Sequence, residues 1–180
     1  MKGQKNTAAK ENISAQLQTV RLPRWEELPD LELYMDQVLS LIRKYLLPYP
    51  GFDDNGLTAS MVNNYVKAGI LPAPVKKRYN RRHLSRLLII CLLKSSLSIA
   101  DVRRLTLSLS STEEPMIYDR FCELAEQSAQ EVVSAMQKDN AGENVTESIL
   151  RSALRSQTEQ SVARTLCAQL PDRAENTKNS

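Results

Sequence analysis

The stretch LTASMVNNYVKAGILPAPVKKRYNRRHL, residues 57–84, restricts the fold more than any other part of the chain. Pro72 and Pro74 stand two apart. Proline lacks an amide hydrogen and pushes the residue before it out of helical geometry, so no helix spans them. Helix signals lie on both sides. Thr58 is a good N-cap for a short helix over 59–68, with Met61, Val62, Tyr65 and Val66 on its buried side. Gly69 is a helix-ending residue. Asn80 caps the next helix, 81–94, which carries Leu84, Leu87, Leu88, Cys91 and Leu92 inward. Ile89, Ile90 and Leu93 widen its apolar surface almost all round, so it must be covered on more than one side. The pattern is helix, Gly turn, extended arm or small hairpin, then a buried helix.

The flanks also read as helices. Leu31, Tyr34, Met35, Val38, Leu41, Ile42, Tyr45 and Leu46 recur at three and four, predicting a helix over 31–47 with Asp30 as N-cap and Pro48 as stop. YPGFDDNG after it is a loop by composition. Ser98 caps a short helix over 99–107, with Val102, Leu105 and Leu109 apolar. Beyond SLSSTEEP, a longer helix over 116–138 places Ile117, Phe121, Leu124, Ala125, Val132, Val133 and Met136 on one side, as core or dimer seam. NAGEN breaks it, and 145–170 is periodic but weaker. Only five glycines in 180 residues argue against a turn-rich β chain or a Gly-rich phosphate loop. Residues 1–24 are polar and without period, an expected disordered tail.

The charge is uneven although the formal net value is only +3. Residues 58–104 hold ten basic side chains and one acid, Asp101, between two acidic regions. A compact basic region of this kind suits a polyanion. Catalysis has little to work with. His83 is the only histidine and reads as structural; no Gly-rich loop, metal-like spacing of acids or nucleophile–base pairing occurs. Cys91, Cys122 and Cys167 are widely spaced, with no Cys-x-x-Cys, which implies neither metal nor disulfide; Cys167 lies in a polar-flanked tail. The longest apolar run, LLIICLL at 87–93, is far short of the roughly 20 residues a bilayer needs. A cytoplasmic protein without cofactor is expected.

A short helix with small polar residues outward can enter the major groove of DNA. Thr58, Ser60, Asn63, Asn64 and Lys67 lie at the start of the 59–68 helix or opposite Val62 and Val66. Lys76, Lys77, Arg78 and Tyr79 form a basic arm that can follow the phosphates, with Arg82 beyond it. Tyr65 and Tyr79 also suit packing of the arm on the helix. The string TASMVNNYVKAGILPAPVKKRYNRRHLSRL, followed by SLSIADVRRL, resembles the DNA-binding domain of the MerR family. It is similar, over about 30–135, to an uncharacterised bacterial family, a domain of unknown function in which LTxxMVNNYVKxGxLPxPxKKxY recurs. MerR proteins usually have Arg-Tyr where this chain has Asn63-Asn64, and Arg where it has Lys77. They also lack the helix that precedes the motif here.

The resemblance implies an all-α fold with a small β wing: a MerR-like winged helix-turn-helix over 25–110, with the preceding helix included. Additional helices over 111–170 are the candidate dimerisation element, and 171–180 is a tail. The implied function is sequence-specific binding of double-stranded DNA by a homodimeric bacterial transcription regulator, with about four phosphate contacts per protomer. Two rivals are a protein-interaction module whose basic face holds an acidic partner, and an excisionase-like DNA bender. Operator and any small-molecule effector are unknown.

Overall fold

The computed structural model describes residues 2–50, 52, 56–108, 113–138 and 145–170. Among them run α1 (Lys2–Gln18), a 3-10 turn (Trp25–Glu27), α2 (Met35–Leu46), α3 (Ala59–Lys67), α4 (Arg81–Leu93), α5 (Ile99–Ser108), α6 (Glu114–Lys138) and α7 (Val145–Cys167). The fold is all-α. No sheet forms among the described residues; the β element is reduced to two isolated antiparallel bridges, Leu33 to Tyr79 and Val75 to Arg78.

The centre is α4. Nine of its thirteen residues are buried, including Leu84, Leu87, Leu88 and Ile90. Each fully buried Leu or Ile contributes roughly 1.5–3 kcal/mol. α2 covers one side of α4 through Val38, Ile42 and Leu46, and α5 covers another through Val102. Asn80 starts α4 as expected: its Oδ1 accepts the His83 amide at 3.4 Å, and its own amide donates to His83 Nδ1 at 3.1 Å. Ser98 Oγ likewise accepts the Asp101 amide at 3.1 Å at the start of α5.

Three expectations differ from the structure. The helix expected over 31–47 begins at Met35, and Asp30 does not cap it. Leu33 is extended instead, exchanging backbone hydrogen bonds with Tyr79 at 2.7 and 2.9 Å, and Gln37 Oε1 accepts the Tyr34 amide at 2.8 Å. A non-local pairing thus wins over local helical periodicity. Residues 2–18 form α1 rather than a disordered tail. Its Ala, Lys, Gln and Glu are strong helix formers, and it lies against α6, with Lys10 Nζ donating to Ser148 Oγ of α7 at 3.0 Å. Cys167, expected in a polar-flanked tail, is a free thiol but is buried where α7 meets α5, and burial pushes that thiol upward. Leu109, residues 109–112 of the loop before α6, residues 51 and 53–55, the break at 140–144 and the tail at 171–180 lie outside the described residues.

Residues 20–28 form a strap across α6. Arg24 grips both oxygens of Glu126 at 2.8 and 2.7 Å, and Glu126 Oε1 also accepts the Leu22 amide at 3.2 Å. Asp119 accepts the Trp25 amide at 2.6 Å, and the Tyr118 hydroxyl donates to the Pro23 carbonyl at 2.9 Å. Leu22 and Leu28 are sealed beneath.

Candidate nucleic-acid interface

α3 is built by its two ends. Thr58 Oγ1 accepts the Met61 amide at 3.3 Å at the start. At the finish, Gly69 takes φ +67°. Its amide donates to the Val66 carbonyl at 3.0 Å and the Ile70 amide to the Tyr65 carbonyl at 2.9 Å, a Schellman closure. A β-carbon at Gly69 would meet nothing within 4 Å, so the glycine is required by backbone conformation and not by space. The closure turns the chain so that Ile70 and Leu71 enter the core.

Between these ends α3 has two faces. Val62 and Tyr65 are buried. Ser60, Asn63, Asn64 and Lys67 are all exposed, at positions i, i+3, i+4 and i+7. At 3.6 residues per turn these four fall within an arc of about 100°, a continuous polar stripe about 10 Å long. Two amide side chains, one hydroxyl and one ammonium offer donors and acceptors of the kind that read base edges and phosphates.

The arm after Leu71 ends in a tight turn. The Val75–Arg78 bridge is closed by the Arg78 amide donating to the Val75 carbonyl at 2.8 Å. Lys76 and Lys77, the two central residues, take φ +49° and +63°. Positive φ at both central positions is the habit of type I′ hairpin turns, normally filled by Asn and Gly. Both lysines are exposed, as is Val75 before them. The base of the turn is braced. Arg78 lies over the Tyr34 ring, 3.6 Å from its centroid, and donates to the Tyr34 hydroxyl. Tyr79 is buried, paired with Leu33 through its backbone, and meets the His83 ring edge-on at 5.3 Å. Burial under the turn pushes the His83 imidazole below its ordinary range, opposed in part by the Ala73 and Pro72 backbone.

The ten cations of 58–104 are therefore not equivalent. Arg81 pairs with Glu26 at 3.0 Å. Arg82 and Arg86 both pair with Glu114, at 2.6 Å each, where α4 meets the start of α6. Arg104 pairs with Asp101 at 3.3 Å, and Lys94 donates to the Gly56 carbonyl. Lys67, Lys76 and Lys77 remain exposed, and none forms an ion pair among the described residues. Of the sequence-derived contacts, Thr58, Ser60, Asn63, Asn64, Lys67, Lys76 and Lys77 are exposed, and Arg78 is half-buried against Tyr34. Tyr79 is inside, since its ring closes the core under the arm, and Arg82 is held by Glu114.

Sequence reasoning missed Tyr34 and Glu114, whose partners are distant in sequence, and Val75. Its signal was an apolar residue between Pro74 and Lys76 with no periodic companion. Among the described residues, no group of three or more His, Cys, Asp or Glu is arranged to hold a metal ion, and no helix is long and apolar enough to cross a membrane. No curated protein and no solved structure matches the chain. A family model covers residues 23–121, from the strap to Phe121, leaving α1, the rest of α6 and α7 outside it. With more than half of its length inside that match, the chain belongs to the family described as Domain of unknown function (DUF1836).

Proposed function

We propose that this protein binds double-stranded DNA through α3 and the basic turn, as a MerR-like winged helix-turn-helix regulator of bacterial transcription. The observation that carries the reading is the exposed stripe Ser60, Asn63, Asn64 and Lys67 opposite a buried face. A helix of that width suits the major groove, about 12 Å across, and Asn pairs in two-pronged fashion with an adenine edge. The turn, held out by its bridge, adds two ammonium groups for the backbone alongside.

A dimer suits the reading because twofold regulators read inverted repeats. Along α6, Ile117, Phe121, Leu124, Ser128 and Val132 step by three and four, with Leu124 and Val132 exposed. This row is the dimer seam in our reading.

The test is selection of bound sequences from a random duplex pool, followed by gel shifts across a salt series. An enriched inverted repeat is expected. Asn63→Ala should change which sequence is enriched while leaving affinity for random duplex nearly intact. Absence of enrichment together with capture of polyanionic peptides would favour an acidic protein partner.

A further inference from the structure

The turn carries more than charge. Val75 is its most exposed large apolar residue, 68% accessible, next to two lysines in left-handed backbone geometry. L-residues with a β-carbon adopt that geometry at a cost, and such strain persists where the surroundings over-determine it. Here they do. Pro72 and Pro74 stiffen the approach. Two backbone hydrogen bonds hold Tyr79 to Leu33, and Arg78 is laid on Tyr34. The tip is narrow, rigid, cationic and apolar at one corner, a combination that suits a slot with negative walls and a floor that need not be hydrogen-bonded.

We infer that the Val75–Lys76–Lys77 tip enters the minor groove and selects A·T pairs there. This rests on the DNA-binding reading and adds a second recognition element to it. The minor groove is about 6 Å wide and is read chiefly as A·T against G·C, because guanine alone presents a 2-amino donor on its floor. The isopropyl group of Val75 has no acceptor for that donor. Both kinds of pair present acceptors on the floor, but G·C adds the amino group, which stands up into the groove and would be buried unpaired under the isopropyl group, whereas A·T pairs lack it. The lysines reinforce the choice, since A·T-rich tracts narrow the groove and deepen its negative potential. The stripe on α3 would read the major groove, so the two elements report on different edges of the site.

Inosine separates them. An I·C pair presents the same major-groove groups as G·C but lacks the 2-amino group, and so resembles A·T from the minor groove. The experiment measures binding of the full chain to alternating dA-dT, dG-dC and dI-dC duplexes at fixed salt. The wild type should bind dI-dC about tenfold more tightly than dG-dC, since those two differ only in the minor groove, and dA-dT at least as tightly as dI-dC. Val75→Asn supplies an acceptor at an exposed position and should bring dG-dC to within about twofold of dI-dC. If dI-dC behaves as dG-dC, or V75N keeps the tenfold gap, the tip does not read the minor groove. Equal, salt-dependent binding to all three by the wild type overturns the inference and leaves the DNA reading standing. No binding to any of the three at low salt overturns both.

Discussion

Lys76 and Lys77 stand at the exposed tip of the turn, while Arg82 and Arg86, at the start of α4, converge on the buried Glu114. Both groups belong to one basic run in the sequence, and both would count equally in a charge tally. Their surroundings make them different instruments. A guanidinium whose charge is already paired with a carboxylate at 2.6 Å releases fewer counterions on meeting a phosphate, whereas an ammonium in water without an ion pair can exchange its counterions for one. What matters for binding is the charge that folding leaves available.

The largest expected effect lies at the paired end. Glu114 is 3% exposed and Arg86 7%. Removing the carboxylate leaves a buried guanidinium uncompensated, which costs about 3–5 kcal/mol. Glu114→Ala should therefore lower stability in urea denaturation by that amount, while Lys77→Ala stays within about 0.5 kcal/mol of wild type. A Glu114 variant as stable as wild type would erase the distinction between the two groups.

The same contrast explains which parts of the molecule were legible in the sequence. α3, α4 and α5 were readable because Thr58, Asn80 and Ser98 each cap a helix within three residues of themselves, and Gly69 ends one through its own dihedral angle. Local chemistry of that kind is written in adjacent letters. The fates of Arg82 and Tyr79 were not. Glu114 is far along the chain from Arg82, and the strand-like pairing of Leu33 with Tyr79 joins segments on either side of α2 and α3. That pairing also withdrew residues 31–34 from the helix their spacing predicted. The stripe of α3 was legible, since helical periodicity fixes which positions share a face. The rigid tip was not, because no letter in Val-Lys-Lys-Arg announces positive φ. α1 was hidden for another reason: its sequence lacks an apolar stripe, and only α6 shows what it leans on.

A middle-sized effect concerns salt. Each phosphate contact adds about −0.9 to the slope of log affinity against log salt. Replacing Lys76 and Lys77 together by alanine should flatten that slope by about 1.8 per protomer, equally for every duplex sequence. Arg82→Ala should leave the slope where it was. Gel shifts over a salt series measure both, and a slope that responds to Arg82 as strongly as to a tip lysine would show that Glu114 releases its partner on the duplex.

The smallest effect separates charge from shape at the tip. Lys76→Gly with Lys77→Gly removes the same two charges as the alanine pair, so the salt slope should fall by the same amount. Stability should separate the two pairs. Alanine inherits the left-handed dihedrals of +49° and +63° and remains strained there. Glycine adopts them freely, at about 0.5–1 kcal/mol of extra unfolded-chain entropy per residue. The left-handed penalty for a residue with a β-carbon is about 1–2 kcal/mol, so the glycine pair should be more stable than the alanine pair by roughly 1 kcal/mol. Urea denaturation of the two variants measures the difference directly. A glycine pair that is the less stable of the two would mean that the turn is not strained. Equal loss of salt slope in both, with the glycine pair more stable, would show that the protein tolerates strain at this tip to hold two cations and Val75 in one fixed arrangement.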